Sequence, residues 1–367
     1  MKKIPIAIVG VGNCAKALVE GVHFYSQAES PMLGLMHPLI GGYRVTDIAV
    51  VAAFDIDSRK VGRKLGEAIY ADPNNAAALS KVPLNSEPTV HMGRVLDGVA
   101  AHVKEFPLKN RADVSPQAES SSIDIENILG HSGAKILVNF LPVGSEQATK
   151  VYVEAALEVG LGVVNCIPVF VASDPEMANK FTDANLPIIG DDIKSQAGAT
   201  ILHRTLTTML SKRGVRLNHM YQLNVGGNTD FMNMLSRERL LSKRISKTEA
   251  VQSVMSEPMD AASLHVGPSD YVEWLGDTKV CFLRIEGQLF GGAPIEMDIK
   301  LRVPDSPNSA GCVVDAIRCA QLALDRGFGG PINAISAYFM KRPPIQISDE
   351  AALNELTAFI AEPQASR

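Results

Sequence analysis

Short runs of apolar residues, separated by turn residues and helix-like segments, recur through the first half of the chain. Residues 4–9 (IPIAIV) and 48–55 (IAVVAAFD) are continuous apolar runs, which are typical of parallel strands buried on both faces. Further runs of this type lie within residues 134–144, 161–169 and 186–192. Helix-like segments alternate with these runs, and the alternation predicts an α/β fold built on a doubly wound Rossmann sheet.

The pattern changes after residue 200. It predicts an amphipathic helix over 198–214, a strand over 220–228, and two strands within 279–303 that turn at Gly291-Gly292. Antiparallel pairing of those two strands implies a second, α+β domain. A long helix is predicted from Ser306-Pro307 to Gly327. The expected domains are residues 1–200 plus 310–367 for nucleotide binding, and residues 201–309 for catalysis and oligomerisation.

Three stretches interrupt these elements. An irregular insertion near residues 24–46 precedes the second strand, and loops are predicted over 72–88 and 104–122, where polar residues and prolines concentrate. The opening lysines and apolar run resemble a signal peptide. Gly10 and Gly12 interrupt that run, so a buried first strand is the better interpretation.

Composition narrows the function classes. The 367 residues are 46% hydrophobic and 20% charged, as in ordinary soluble globular proteins, and no stretch is long and apolar enough for a membrane span. A net charge of −5 gives no basic surface for nucleic acid or an anionic membrane. The five cysteines are scattered, which favours free thiols in a reducing cytoplasm over disulfides or a zinc site.

A glycine fingerprint follows the first strand. The segment IAIVGVGNCAKAL has glycine at positions 10 and 12 and alanine at 15, at the start of a helix. Gly10 allows a tight turn and Gly12 allows a pyrophosphate to approach the backbone. Asp55 ends the second strand, where a carboxylate binds ribose hydroxyls and repels a 2′-phosphate, so NAD is favoured over NADP. The motif alone leaves open a glycine turn without a ligand.

Two more segments lie at the ends of predicted strands. FLPVGSE (140–146) stands where the nicotinamide end of a cofactor usually rests, and it contains Pro142. GDDIKSQAGAT (190–200) leads from a strand through a small-residue loop into a helix, which suits a phosphate. Its candidate phosphate ligands are Ser195, Gln196, Gly198 and Thr200, and the pair Asp191-Asp192 precedes them. A helix cap with a turn is the alternative interpretation.

Lysines and aspartates are spread over the second half of the chain. Lys243 and Lys247, in LLSKRISKTEAV, would share one face of a helix and repel each other. A solvated helix face is the simplest explanation for such a pair. The other members of the candidate set are Asp230, Lys279, Asp305 and Lys341. Together they suggest a cationic pocket for a phosphorylated polyol, in which lysines stabilise a developing enolate without a metal.

The ordered set of motifs resembles the myo-inositol-1-phosphate synthase (inositol-3-phosphate synthase) family in its compact bacterial form, over nearly the whole chain. The matching segments are AIVGVGNCA, LPVGSE, GDDIKSQAGAT, LNVGGNTDF, SKRISKT, GPSDYVEWLGD, DSPNSAG and AYFMKRPP. The resemblance implies catalytic or substrate roles for Asp192, Asp230, Lys243, Lys247, Lys279, Asp305 and Lys341. Expected cofactor contacts are Gly10, Gly12, Asn13, Cys14, Asp55, Pro142 and Asp191.

The same resemblance implies a reaction. Members of the family convert D-glucose 6-phosphate to 1D-myo-inositol 3-phosphate by NAD-dependent oxidation at C5, enolisation, intramolecular aldol cyclisation and re-reduction, with no net redox change. It also implies a cytoplasmic homotetramer in inositol and phospholipid biosynthesis. Whether a monovalent or divalent cation activates the enzyme, and which residues would hold a metal, is left open by the sequence.

Two other functions are compatible with the glycine fingerprint. A net NAD-dependent dehydrogenase of a sugar phosphate or similar small substrate would share the glycine fingerprint, but it has no need for four lysines. A non-enzymatic NAD-binding redox sensor would need no polyol pocket.

Replacing Lys243 tests the role that the resemblance gives it, which is to move the proton of the C5 hydroxyl. Lys243→Ala should abolish turnover, a loss of about a hundredfold or more, while NAD binding stays intact. Steady-state kinetics together with a cofactor-binding titration measure both quantities. Near-normal turnover in this variant would remove Lys243 from the catalytic set.

Overall fold

A computed structural model describes residues 3–27, 32–255, 259–260 and 262–362, of which residues 237, 238, 240–244, 268 and 269 are described by their backbone only. The strands are β1 (Ile4–Val9), β2 (Ile48–Asp55), β3 (Val90–Met92), β4 (Ile136–Asn139), β5 (Gly162–Asn165), β6 (Pro187–Ile189), β7 (Arg216–Gly226), β8 (Leu264–Tyr271), β9 (Thr278–Gln288), β10 (Pro294–Pro304) and β11 (Gly330–Pro331). The helices are α1 (Asn13–Ser26), α2 (Leu65–Ala68), α3 (Ser122–Ser132), α4 (Glu146–Glu158), α5 (Pro175–Asp183), α6 (Ala199–Lys212), α7 (Thr229–Asn233), α8 (Arg237–Gln252), α9 (Asp305–Arg326), α10 (Asn333–Phe339) and α11 (Asp349–Ala361).

The first sheet is parallel throughout, and its seven strands follow the order β11-β6-β5-β4-β1-β2-β3. The chain leaves β1 toward β2 on one side and later returns to β4 on the other side. The strand order therefore reverses between β1 and β4, and ligands of doubly wound sheets bind at the carboxyl ends of the strands at such a point. The predicted fold class is confirmed, although β3, only three residues long, was not predicted.

The second sheet has four strands in the order β10-β9-β7-β8. β9 and β10 pair antiparallel, as the hairpin pattern predicts. β8 pairs parallel to β7 and was not predicted, because a Gly-Pro step in its middle hides the strand pattern. Helices α6 and α8 cover one face of the sheet, where Leu210, Val251 and Leu283 belong to one hydrophobic core. The second domain is therefore α+β, as expected.

Helix α9 returns the chain to the parallel sheet. It runs from Asp305 to Arg326, close to the predicted limits, and Gly327 ends it in a left-handed conformation with φ of 70°. Most of its length is buried against α1, β5 and β6, and β11 then adds a strand to the edge of the same sheet.

The predicted insertion before β2 forms a strap, defined here as residues 32–47, that crosses α9. Arg318 is fully buried in α9 and forms an ion pair with Asp315. Its guanidinium also donates to the carbonyl oxygens of His37 (2.7 Å) and Tyr43 (3.3 Å) in the strap. His37 Nδ1 lies 2.6 Å from Asp315 Oδ2. The strap is thus held in place by hydrogen bonds to a buried ion pair that it helps to cover.

Within the ranges that the structure describes, no helix combines the length and the apolar character needed to cross a membrane.

Replacing Arg318 tests the strap. Arg318→Ala should lower the free energy of unfolding by about 3–5 kcal/mol, because it leaves Asp315 buried without its cation. Chemical denaturation measures the change. The control is Arg63→Ala, which removes an exposed ion pair to Glu67 (3.2 Å) and should cost less than about 1 kcal/mol. Equal losses in the two variants would contradict this account of the strap.

Candidate functional site

A large cavity lies where the carboxyl ends of β1, β2 and β4 face the second sheet. The space between its lining residues is about 1680 Å³, a volume that includes open solvent at the mouth of the cavity. Gly10 and Asp55 line it from the parallel sheet, and Asp230 and Lys279 line it from the other side. The cavity therefore joins the glycine fingerprint to the lysine-bearing elements.

The two fingerprint glycines have different surroundings. Gly10 has φ of 89°, and a Cβ there would lie 2.6 Å from the carbonyl oxygen of Phe140, so a larger residue would push β1 and β4 apart. A Cβ at Gly12 would meet nothing within 4 Å. Gly12 is the N-cap of α1 and lines the cavity, so open space lies directly over the helix N-terminus. This arrangement fits a pyrophosphate.

Asp55 lies at the cavity wall at the end of β2, as the fingerprint requires. Its Oδ2 accepts a hydrogen bond from the Val11 backbone amide (2.8 Å), and its Oδ1 accepts one from Ile56 (2.7 Å). Lys60 Nζ donates to the Val11 carbonyl oxygen at 2.9 Å. The glycine loop is thus tied to the end of β2, although the strap lengthens the sequence between them.

Asp277 connects the cofactor side of the cavity to the lysine side. The carboxylate is 5% exposed, and its Oδ1 accepts hydrogen bonds from Asn13 Nδ2 (3.2 Å), Asn228 Nδ2 (3.1 Å) and Ser306 Oγ (2.7 Å). These donors stand at or beside the starts of α1, α7 and α9. Burial and the neighbouring Asp305 raise the pKa of Asp277. We call this arrangement the Asp277 junction.

Cys14 and Asp230 line the cavity, and residues of the Asp277 junction act on both of them. Burial, followed by the charges of Asp277 and Asp305, raises the pKa of the Cys14 thiol to about 12. Cys14 is therefore an uncharged thiol at neutral pH. Asn228 Oδ1 accepts a hydrogen bond from the Asp230 backbone amide (3.1 Å), which caps α7 and fixes the position of Asp230.

Two of the predicted lysines form ion pairs with two of the predicted aspartates. Lys279 Nζ lies 3.1 Å from Asp305 Oδ1, and Lys341 Nζ lies 2.9 Å from Asp192 Oδ1. The other oxygen of Asp192 accepts from Ser246 Oγ at 2.5 Å, and Ser246 stands beside Lys247 in α8. Asp192 is 1% exposed and Lys247 is 3% exposed. Apart from Ser246, these residues all line the cavity, although they come from widely separated parts of the chain.

At one end the cavity leads into a small recess, which we call the lysine pocket. Its lining includes Ser195, Gly198, Thr200, Gln222, Lys247, Lys279 and Lys341. Gly198 is the N-cap of α6, so three lysines and a helix N-terminus face one recess. Both features favour an anion. The side-chain oxygen atoms of Ser195 and Ser309 lie 3.5 Å apart.

Gln196, which the sequence suggested as a phosphate contact, does not line the lysine pocket. Its Nε2 donates to the carbonyl oxygen of Gly34 in the strap (2.6 Å), and its Oε1 lies where a Cβ on Gly311 would be placed. These two contacts hold the side chain of Gln196 against the strap and α9.

Asp191 is also absent from the described cavity lining. Its carboxylate is fully buried beneath the cavity. It accepts hydrogen bonds from Asn165 Nδ2 (2.7 Å), Ser173 Oγ (2.8 Å) and three backbone amides of residues 171–173. Burial raises its pKa to about 6 despite these hydrogen bonds. Asp191 therefore holds the loop of residues 171–173 in place, and its predicted cofactor contact stays a prediction.

The remaining candidates are Pro142 and Lys243. Pro142 lines the cavity after β4. Arg239 of α8 donates to the Val143 carbonyl oxygen (2.8 Å) and to that of Asp97, so the helix that carries the lysines holds this loop. Lys243 lies in α8, one turn before Lys247, and its side chain is outside the described part of the structure.

The structure identifies site residues that sequence reasoning missed, chiefly Asp277, Asn228 and Ser246. Each stands within two residues of a predicted one: Asp277 before Lys279, Asn228 before Asp230, and Ser246 before Lys247. Short polar residues directly before a predicted catalytic residue were the available signal. In the described part of the chain, no group of three or more His, Cys, Asp or Glu side chains is arranged to hold a metal ion.

Comparison with known proteins identifies relatives of this chain over nearly its whole length. The family described as myo-inositol-1-phosphate synthase matches residues 198–306. The chain is 48% identical to the inositol-3-phosphate synthase of Mycolicibacterium smegmatis over 364 residues, covering 98% of each chain. It is also 48% identical to that of Corynebacterium glutamicum over 366 residues, again covering 98% of each. A solved myo-inositol-1-phosphate synthase-related protein from Thermotoga maritima, 24% identical, has the same fold with a TM-score of 0.82 over 99% of this chain and 100% of that one.

Proposed function

Because the chain belongs to the myo-inositol-1-phosphate synthase family, we propose that the residues around its cavity carry out the reaction of that family. The activity is the conversion of D-glucose 6-phosphate to 1D-myo-inositol 3-phosphate by oxidation at C5, enolisation, intramolecular aldol cyclisation and re-reduction. Substrate and product are isomers, so the enzyme is an isomerase of the intramolecular lyase type.

The cofactor end of the cavity fits NAD. The open space at Gly12 over the start of α1 suits the pyrophosphate, and Asp55 stands at the end of β2 for the ribose hydroxyls. Asn13, Cys14 and Pro142 line the same space. NAD bound there supplies reversible hydride removal at the C5 carbon. The carboxylate of Asp55 disfavours a 2′-phosphate, which is why we propose NAD as the cofactor.

The substrate end is the lysine pocket. Ser195 offers a side-chain hydroxyl for the phosphate of glucose 6-phosphate. Gly198, the N-cap of α6, and Thr200, in the first turn, place the N-terminus of that helix at the same recess. Lys247, Lys279 and Lys341 add positive charge around the same recess. The position of the pocket beside the cofactor space is the observation that carries the proposal, because the carbon oxidised in this substrate is adjacent to the carbon that bears the phosphate.

The lysines can then share the proton and charge transfers. We assign the C5 hydroxyl proton to Lys243, and stabilisation of the enolate, the aldehyde oxygen and the phosphate to Lys247, Lys279 and Lys341. Asp305 orients Lys279, and Asp192 anchors Lys341 together with Ser246. Asp230 is the remaining carboxylate that we assign to the site; Asn228 holds it in position, and it lies near Cys14. This division of roles requires no metal ligand, and an activating cation is left open.

The outer face of the second sheet supports a homotetramer. Tyr221 and Phe282 are 36% and 41% exposed on that face, and Phe290 at the hairpin turn is fully exposed. Among the described strands, β10 pairs only with β9 and leaves an edge of eleven residues. An apolar face beside a long open edge is a typical protein interface. The five free thiols support a reducing, cytoplasmic location, and a role in phospholipid biosynthesis stays a prediction.

Light scattering of the purified protein tests the assembly. We expect a mass about four times the 39.3 kDa of one chain. Phe282→Lys should shift the mass toward smaller species, because it places a charge on the apolar face. The exposed Phe328, on the other domain, provides the control as Phe328→Lys. A monomeric wild-type protein would contradict the proposal.

The reaction itself is tested with purified protein, glucose 6-phosphate and NAD. Carbon and phosphorus NMR should show an inositol monophosphate, while absorbance shows no net NADH. Stoichiometric NADH with an oxidised sugar phosphate would identify a net dehydrogenase instead. NAD binding without any conversion, under varied cations, would favour a redox sensor.

A further inference from the structure

Arg204 is a fully buried arginine that neither lines the lysine pocket nor takes part in the proposed mechanism. It lies in α6, the helix that Gly198 caps at the pocket. Burial of an arginine is costly unless its charge is paired and its donors are satisfied, so the contacts of the guanidinium indicate its role. All three of its nitrogen atoms donate hydrogen bonds to described residues.

One nitrogen of the guanidinium bonds the last turn of α8. Arg204 Nη1 donates to the carbonyl oxygen of Ala250 (2.5 Å) and to the side-chain oxygen of Ser253 (2.8 Å), the C-cap residue of that helix. Carbonyl groups in the last turn of a helix have no partners within the helix, and a cation there also meets the negative end of the helix dipole. Arg204 therefore caps α8 about one turn beyond Lys247.

Helix α8 has little apolar surface with which to fix its position. Two of the four buried side chains that the structure describes in it are polar, Ser246 and Lys247. A helix normally gains most of its stability by packing an apolar face against the rest of the protein. Because so little of α8 packs in this way, its position depends on polar contacts, with Arg239 toward the cofactor side and Arg204 at the C-terminal end.

The other two nitrogen atoms of Arg204 bond the C-terminal part of the chain. Its Nε donates to Asp349 Oδ2 at 2.8 Å, at the start of α11, and its Nη2 donates to the carbonyl oxygen of Ile347 at 3.1 Å. The second oxygen of Asp349 lies 3.4 Å from Lys194 Nζ, and Lys194 directly precedes Ser195 of the lysine pocket. Arg204 thus joins α8 to elements that hold other parts of the pocket.

We propose that Arg204 is a positioning residue for the reaction, which sets the place of Lys247 by holding the end of α8 against α6 and α11. It does not line the cavity, so it acts through the helix. The inference rests on the proposed function, because that function gives the position of Lys247 a catalytic consequence. An arginine suits this role, since its planar guanidinium bonds a carboxylate with one nitrogen and the helix end with another.

The first variant is Arg204→Lys, which keeps a positive charge beside Asp349 and removes the planar fork. The kcat should fall about ten- to hundredfold, because a small displacement of Lys247 misaligns the proton and charge transfers. The KM for glucose 6-phosphate should change by less than about threefold, since Ser195 and the start of α6 still hold the phosphate. Amide hydrogen exchange of the full chain with NAD bound should become faster in residues 245–252, which reports the attachment of α8 directly.

The matched control is Arg326→Lys. Arg326 donates to the carbonyl oxygens of Phe359 and Glu362, so it holds the C-terminal end of α11 as Arg204 holds that of α8, and it does not line the cavity. This variant should change neither kcat nor the exchange of residues 245–252, even where it lowers the unfolding temperature. Equal losses of kcat in the two variants would overturn the inference, because they would reflect a general loss of stability.

A second variant, Ser253→Ala, keeps the test decisive if Arg204→Lys does not fold. It removes one of the two acceptors that α8 offers to Arg204, at an exposed residue. Exchange in residues 245–252 should become about tenfold faster, the effect of one hydrogen bond to a charged group, and kcat should fall less than in Arg204→Lys.

Two results in either variant would overturn the inference: faster exchange of α8 with unchanged kcat, and a loss of kcat with unchanged exchange. The first would show that the attachment of α8 does not matter for the reaction, and the second that Arg204 acts by another route. Absence of turnover by the wild-type enzyme would instead contradict the proposed function, and the exchange measurement alone would then show whether Arg204 holds α8.

Discussion

The Asp277 junction is the constraint on which the shape of the cavity depends. One buried carboxylate accepts hydrogen bonds from residues at the starts of three helices, which belong to the cofactor side and to the lysine side of the molecule. A buried charge without donors would cost several kcal/mol, so these helix starts must converge for the chain to fold. Convergence sets Asn13 beside the cofactor space and Asp305 beside Lys279. The same interaction therefore determines both stability and the alignment of the two halves of the site.

The charges of the lysine pocket impose a second electrostatic constraint. Several ammonium groups in one recess repel each other and lose hydration, and both effects cost free energy. Asp305 and Asp192 compensate for two of them at 3.1 and 2.9 Å, and each carboxylate is in turn held by a polar side chain, Asn228 or Ser246. The anionic ligand that we propose for the lysine pocket would supply further negative charge. The recess is thus arranged so that its charges balance most fully when it is occupied.

Local patterns predicted most of the fold and part of the site. The strands β1 and β2, the β9–β10 hairpin and helix α9 follow from hydrophobic periods and glycine positions, which act over a few residues. The side-chain directions of Gln196 and Asp191 could not be predicted in this way. Gln196 is held by the strap and Asp191 by residues 165–173, and neither segment adjoins these two residues in sequence. Asp277 was missed for the same reason: its donors lie 29 to 264 positions away. Strands β3 and β8 were not predicted, because β3 is too short and β8 is interrupted by proline, so neither shows a clear hydrophobic pattern.

Arg239 gives helix α8 a role beyond carrying lysines. By donating to the carbonyl oxygens of Val143 and Asp97, it couples that helix to two loops on the cofactor side. Displacement of the loop after β4, which lines the cavity, then requires a change in the helix that presents Lys247. In a reaction that takes a hydride and later returns it to the same carbon, premature departure of the reduced cofactor would strand an oxidised intermediate. The Arg239 contacts would oppose that loss, because the loop after β4 could move away from the cavity only together with the helix that carries Lys247.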